Sequence, residues 1–202
     1  MIADRCLSSL FVALAFVTGV AHAEEPASIS PRWSATLYVG QFYHDHLQDI
    51  VLTDALFTES NFYDSRVVTL SLGRELARSG SWVAWEAEAM VGKHFGLQDH
   101  LEVNAFFAAR WLRFPWDRLL DTSFAVGEGI SWAAKRPFTE GEFRQRRARH
   151  ILNYFVVEAA FSLPRAPRWS LVSRVHHRSG VFGLFGTREG SNFVGFGLRR
   201  HF

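Results

Sequence analysis

Apolar and polar residues alternate with period two in eight stretches of the chain, each followed by a turn or loop. The stretches run Trp33 to Phe42, Ser65 to Ala77, Ser81 to Phe95, Leu101 to Phe114, Leu120 to Ala133, His150 to Leu163, Trp169 to Ser179 and Ser191 to Phe202. Successive side chains of a strand point to opposite faces, so the pattern predicts β-strands. Most exceed the roughly 5–6 residues of an ordinary soluble strand and suit the roughly 9–11 residues of a tilted strand crossing a bilayer. In the third stretch Val83, Trp85, Ala87, Ala89 and Val91 form one face, and Ala84, Glu86, Glu88 and Met90 the other. The fifth stretch breaks the rule, because Glu128 shares a face with Phe124 and Val126. Gly127 and Gly129 beside it would let a bulge switch the parity there.

The connections alternate in length. Arg78 to Gly80, Pro115 to Leu119 and Pro164 to Pro167 are tight. His44 to Asp64, Ala134 to Arg149 and Gly180 to Gly190 are long, and Gly96 to His100 is a short member of that second set. Short periplasmic turns and longer outer loops are the habit of membrane barrels. The expectation is an all-β fold, an eight-stranded antiparallel transmembrane β-barrel with both termini periplasmic. Trp33, Trp82, Trp111, Trp116 and Trp169 then gather at the periplasmic rim as an interfacial girdle. The final Phe202 resembles the terminal aromatic of the assembly signal of such barrels.

Composition changes this picture mainly at the N-terminus. Arg5, the apolar run Leu10 to Val20 and the small-x-small site Ala21-His22-Ala23 predict a cleaved signal peptide over 1–23. A single barrel domain over 24–202 follows, located in the outer membrane of a Gram-negative bacterium. The single cysteine, Cys6, falls within that signal, so the mature domain is expected to hold no disulfide and no cysteine metal site. A net charge of +2 gives no reason to expect nucleic acid as a partner. Glu86, Glu88, Arg110, Glu158, Arg174 and Arg199 fall on inward faces, where buried charges need partners. A barrel of this strand number is filled by side chains, which argues against a pore.

Candidate chemistry concentrates in Val175-His176-His177-Arg178-Ser179-Gly180. By strand parity His177 and Ser179 face lipid, with Cα atoms about 6.6 Å apart, while His176 faces the lumen. A histidine within reach of a serine can take its proton, and a carboxylate that orients the ring improves the base. Glu189, entering the last strand, is the candidate orienter. The bland alternative is that His177 and Ser179 are ordinary rim residues. His44-Asp45-His46 makes a poor metal site, being three close residues of one loop without a fourth ligand. No metal and no cofactor are expected.

His177-Arg178-Ser179 followed after a glycine-containing loop by Glu189 resembles the signature of the lipid A 3-O-deacylase (PagL) family. The resemblance in motif covers His176 to Phe202, and upstream it is architectural. It implies an eight-stranded outer-membrane barrel with Ser179 as nucleophile, His177 as base and Glu189 as orienter. The implied activity is that of a serine esterase removing the 3-hydroxyacyl chain at the 3 position of lipid A. The sequence departs from the family by carrying Gly180 where an asparagine tied to oxyanion stabilisation usually follows the serine. The Gly180 backbone N–H and Asn192 are the oxyanion candidates. Arg144, Arg146, Arg147 and Arg149, in the loop before the sixth strand, are candidates for binding phosphates of lipopolysaccharide in the outer leaflet. The alternative function is a non-enzymatic small barrel with a structural or lipid-organising role. A homodimer stays open beside a monomer.

Overall fold

A computed structural model describes residues 33–52, 61–140 and 148–202. The expected signal peptide and Arg144, Arg146 and Arg147 lie outside the described residues. The strands are β1 (Trp33–Tyr43), β2 (Phe62–Ser79), β3 (Val83–Gly96), β4 (Leu101–Trp111), β5 (Asp121–Ala133), β6 (Ile151–Ser162), β7 (Trp169–Ser179) and β8 (Gly190–His201). Each pairs antiparallel with the next, and β8 returns to β1 to close an eight-stranded barrel. Closure satisfies every strand edge internally, the condition for a sheet in hydrocarbon. A short helix α1 (Leu47–Leu52) interrupts the β1–β2 connection.

The barrel is inside out relative to a soluble protein. Cross-strand neighbours Leu171, Leu198, Leu37, Leu70, Val91, Val103 and Trp132 form one outward row. Each of these side chains is exposed. A continuous apolar girdle of this kind is a lipid-facing surface. Trp82 packs on Trp111 at the end of the barrel that also carries Trp33 and Trp169, and all four are exposed.

The lumen holds the charges. Glu158 takes Arg110 Nη2 at 2.6 Å, Arg174 Nη2 at 2.6 Å and Arg199 Nη1 at 2.7 Å. Glu88 accepts from Arg174 Nη2 at 3.2 Å, and Glu86 from Arg110 Nε at 2.9 Å. Three guanidiniums thus face three carboxylates, so the layer is neutral and richly hydrogen-bonded, as burial of charge requires. Above it pack two apolar groups, Met90, Phe106, Ala108, Tyr154 and Val156, and Tyr38, Phe42, Val67 and Phe193.

The bulge that Gly127 and Gly129 would permit in β5 does not form. β5 keeps unbroken register with both neighbours, and the register shifts fall at Gln41/Tyr43 and Glu75/Ala77 instead. Gly129 serves close packing: a Cβ there would stand 2.0 Å from the Ala105 carbonyl oxygen. Glu128 therefore stays on the outward face, directly across from Phe107 and Phe155.

That placement sets a test of the lipid-facing surface. Leu70, mid-strand and 58% exposed, has only Leu37 and Val91 across from it. Leu70→Arg is expected to cost about 2–4 kcal/mol of folding stability in a bilayer. Phe107→Arg should cost less, because Glu128 is its cross-strand partner. Equal losses in urea titrations would remove Glu128 from the outer face.

Candidate active site

Alternation along β7 buries Ser170, Val172, Arg174, His176 and Arg178 in the lumen and turns His177 and Ser179 outward. His176 is fully buried, with Nε2 2.8 Å from Glu102 Oε1 and Nδ1 3.3 Å from the Tyr154 hydroxyl. His177 and Ser179 are half-buried on the other side of the sheet.

The His177 ring meets β8. Asn192 lies across from His177 in register, and its Oδ1 is 2.6 Å from His177 Nδ1. Asn192 in turn donates from Nδ2 to the Asp45 carbonyl at 2.6 Å. That second bond fixes which way the amide points. With Nδ2 committed to Asp45, the oxygen faces the imidazole, so His177 Nδ1 carries the proton and Nε2 keeps its lone pair. This is the tautomer a general base for Ser179 needs.

The other site residues surround this pair. Ser179 sits between Asn153 of β6 and Gly190 of β8. Asn153 donates to Glu128 Oε1 at 3.0 Å and to the Gly129 carbonyl at 3.2 Å. Glu189 immediately precedes β8, and its carbonyl accepts the Gly180 N–H at 2.9 Å. His177, Ser179, Asn192, Glu189, Glu128 and Asn153 all line one groove of about 820 Å³ on the barrel's outside. Its walls are the Asp45–Gln48 segment on one side and Val181, Phe182 and Arg188 on the other.

The Gly180 N–H, one of the two oxyanion candidates, has a backbone partner. That N–H closes the last rung of the β7–β8 ladder on the Glu189 carbonyl. The glycine itself answers to crowding, since a Cβ at Gly180 would stand 1.9 Å from the Thr187 carbonyl oxygen. An asparagine cannot occupy this position with the loop so placed. Asn192 also has its oxygen and one N–H engaged as described, which leaves one amide hydrogen. Next in the chain, Val181 and Phe182 both adopt positive φ, 44° and 54°. Left-handed backbone at two successive non-glycine residues, one of them β-branched, is strained and concentrates at functional sites. Among the described residues no backbone carbonyl takes the Val181 or Phe182 N–H. No sequence signal marks such a pair.

Of the arginines proposed for phosphate, Arg149 is described, and its Nη2 donates to the Gly186 carbonyl at 3.3 Å, bracing the β7–β8 loop. Of His44-Asp45-His46, His44 packs its ring on Phe42 and Tyr63, and Asp45 accepts from Asn61 Nδ2 at 2.8 Å.

The β5–β6 loop reaches back over the barrel mouth. Its Phe138–Glu140 turn buries Glu140, which accepts from Arg178 Nη1 at 2.7 Å and from the Ser191 hydroxyl at 2.9 Å. Burial, partly opposed by Arg178, pushes the Glu140 carboxyl up to about 7. A carboxyl raised on folding contributes its full stability below its unfolded pKa of about 4.3 and loses it as pH rises through 7. Protection of amides 138–140, taken as exchange relative to the intrinsic rate at each pH, is therefore expected to fall between about pH 5 and 7. Glu140→Gln should flatten that fall, and an unchanged profile in the variant would assign the pH dependence elsewhere.

No family model matches the chain, and no curated protein matches it. Among solved structures it is similar to the outer-membrane enzyme PagL, at 12% identity over 84% of this chain and 99% of that one, TM-score 0.47. It is also similar to OprG from Pseudomonas aeruginosa, at 8% identity over 86% and 98%, TM-score 0.40. A third is Ail from Yersinia pestis, at 14% identity over 84% and 99%, TM-score 0.36. The closed sheet and its apolar exterior define the class by themselves: a small membrane-spanning β-barrel with a groove on its outer side that holds His177 and Ser179.

Proposed function

We propose that this chain is an outer-membrane serine esterase that removes the ester-linked 3-hydroxyacyl chain from the 3 position of lipid A. The observation that carries the reading is the outward His177–Ser179 pair with its imidazole held in the basic tautomer by Asn192 and Asp45. Ser179 attacks the acyl carbonyl, and His177 Nε2 takes its proton. Asn192 holds Nδ1–H in place, as an asparagine does in cysteine–histidine–asparagine hydrolases. Glu189 lines the same groove and supplies negative charge near the imidazolium that forms. The Val181 and Phe182 N–H groups are the oxyanion donors in this scheme. His177 then returns the proton to the leaving sugar hydroxyl, and water repeats the sequence on the acyl-serine.

In this reading both termini are periplasmic, the tryptophan-rich end of the barrel faces the periplasm and the groove opens at outer-leaflet height. Arg144, Arg146, Arg147 and Arg149 are the candidates to bind the lipid A phosphates. A non-enzymatic barrel is the second reading, favoured by the commitment of the Gly180 N–H to Glu189. Mass spectrometry of lipid A separates the two. Cells expressing the chain should yield lipid A lighter by one hydroxyacyl group, with that acid released. Unaltered lipid A from cells with the barrel correctly inserted would leave the non-enzymatic reading standing.

A further inference from the structure

We propose that His94, His100, Glu102 and His176, inside the barrel mouth, bind one divalent transition-metal ion of the zinc type. The four come from separate places: β3, the β3–β4 turn, β4 and β7. Their exposures are 1%, 3%, 0% and 0%. Three imidazoles and a carboxylate are a borderline-soft nitrogen and oxygen donor set, suited to zinc, cobalt or nickel.

The geometry is close to closed. Glu102 Oε2 lies 3.0 Å from His94 Nε2, and Oε1 lies 2.8 Å from His176 Nε2. Donor atoms of His94, His100 and Glu102 lie within 4.8 Å of one another. A tetrahedral ion with bonds of about 2.0–2.1 Å holds its ligands about 3.4 Å apart, so these three need to contract by little more than about 1 Å, and His176, paired with the other Glu102 oxygen, has to swing in to complete the set. His100 is the ring free to make that move. Its Nε2 is buried and has no hydrogen-bond partner, and its plane stacks on His94 at 4.3 Å and 13°. His176 Nε2 is also short of an aligned hydrogen bond despite its closeness to Glu102.

Charge and surroundings favour a cation. Glu102 and Glu140 flank Arg178, which stands 2.7 Å from Glu140 and 3.7 Å from Glu102, so its guanidinium is drawn toward Glu140 and away from the imidazoles. Outer partners hold the ligands in place: Asn104 Nδ2 donates to Glu102 Oε1 at 2.8 Å, and Gln98 Nε2 meets His94 Nδ1 at 2.9 Å. On binding, the proton on His94 Nε2 moves to Nδ1, and the Gln98 amide turns its oxygen from Thr139 to accept it, leaving its N–H to donate to the Thr139 hydroxyl. The ion would clamp β3, β4 and β7 together behind the groove, on the opposite side of the sheet from His177, and take no part in ester hydrolysis.

The test uses the untagged chain refolded in metal-free detergent, loaded with Zn2+ or Co2+ and dialysed. About one ion per chain is expected, with the visible spectrum of four-coordinate cobalt and a raised thermal transition. His100→Ala alters a turn outside the strands and should weaken binding at least about 100-fold, beyond the loss of an outer partner. Glu102→Gln, if it folds, should do the same. Failure of the wild type to retain metal overturns the site. Retention unchanged in His100→Ala also overturns it, assigning the ion to other residues such as His44 and His46.

Discussion

Ser179→Ala is expected to give a folded barrel whose release of hydroxy fatty acid from lipid A falls at least about 10⁴-fold. The side chain is half-buried on the outer face and fills no part of the lumen, so the change should leave folding intact. His177→Ala should fall as far, and the double variant hardly further, because nucleophile and base act as one unit. The third position discriminates. Asn192→Ala removes both the bond to His177 Nδ1 and the anchor on Asp45, so it should cost more than Glu189→Ala. Asn192→Asp keeps an acceptor for Nδ1 but sets a carboxylate oxygen against the Asp45 carbonyl, so its activity should fall between that of the wild type and Asn192→Ala. The reverse order, with Glu189→Ala the more damaging, would make Glu189 the orienter and Asn192 a support. His176→Ala is the control for strand parity. It removes a lumen side chain packed on Tyr154 and Phe193, and should lower stability while leaving residual folded protein active. Release of the acid at the wild-type rate by folded Ser179→Ala would sink the esterase reading.

Glu158→Gln should be the most damaging single change to the barrel itself. Glu158 is the shared partner of Arg110, Arg174 and Arg199, and its side chain is 2% exposed. Removing its charge strands buried guanidiniums whose desolvation it offsets, a loss of about 3–5 kcal/mol. Urea titration of refolded protein, followed by the gel shift between folded and boiled forms, measures it. Glu86→Gln should cost less, because Glu86 serves Arg110 alone among these arginines and is 21% exposed. Equal costs would mean that the network shares its charge rather than centring on Glu158.

The strands were legible because period two is written directly in residues such as Val83, Trp85 and Ala87 against Ala84, Glu86 and Glu88. The inward charges followed from the same parity. Glu128 was misjudged because a lone outward carboxylate invites a bulge, whereas here it has Asn153 as a hydrogen-bond partner on the neighbouring strand. That partnership depends on register, which the length and course of connecting loops decide, and parity alone does not supply it. The same limit hid the role of Asn192: His177 and Asn192 are fifteen residues apart, and only the β7–β8 register brings them opposite. Helix α1 has six residues, too few to display a helical period. The positive φ at Val181 and Phe182 arises from loop closure, against the preference of both residue types.

The bond from Asn192 to Asp45 joins the last strand of the chain to the segment that leaves the first. It crosses the seam along which a barrel is zipped shut. Before that seam forms, Ser179 and His177 can already lie side by side on β7, but the amide that selects the ring's tautomer has no anchor and can swing either way. On the proposed reading of His177 as base, the same event that completes the cylinder also arms it. If the proposed esterase reading holds, a chain still in transit, with its two terminal strands apart, carries the parts of a hydrolase without a working one, and turnover becomes a readout of finished assembly.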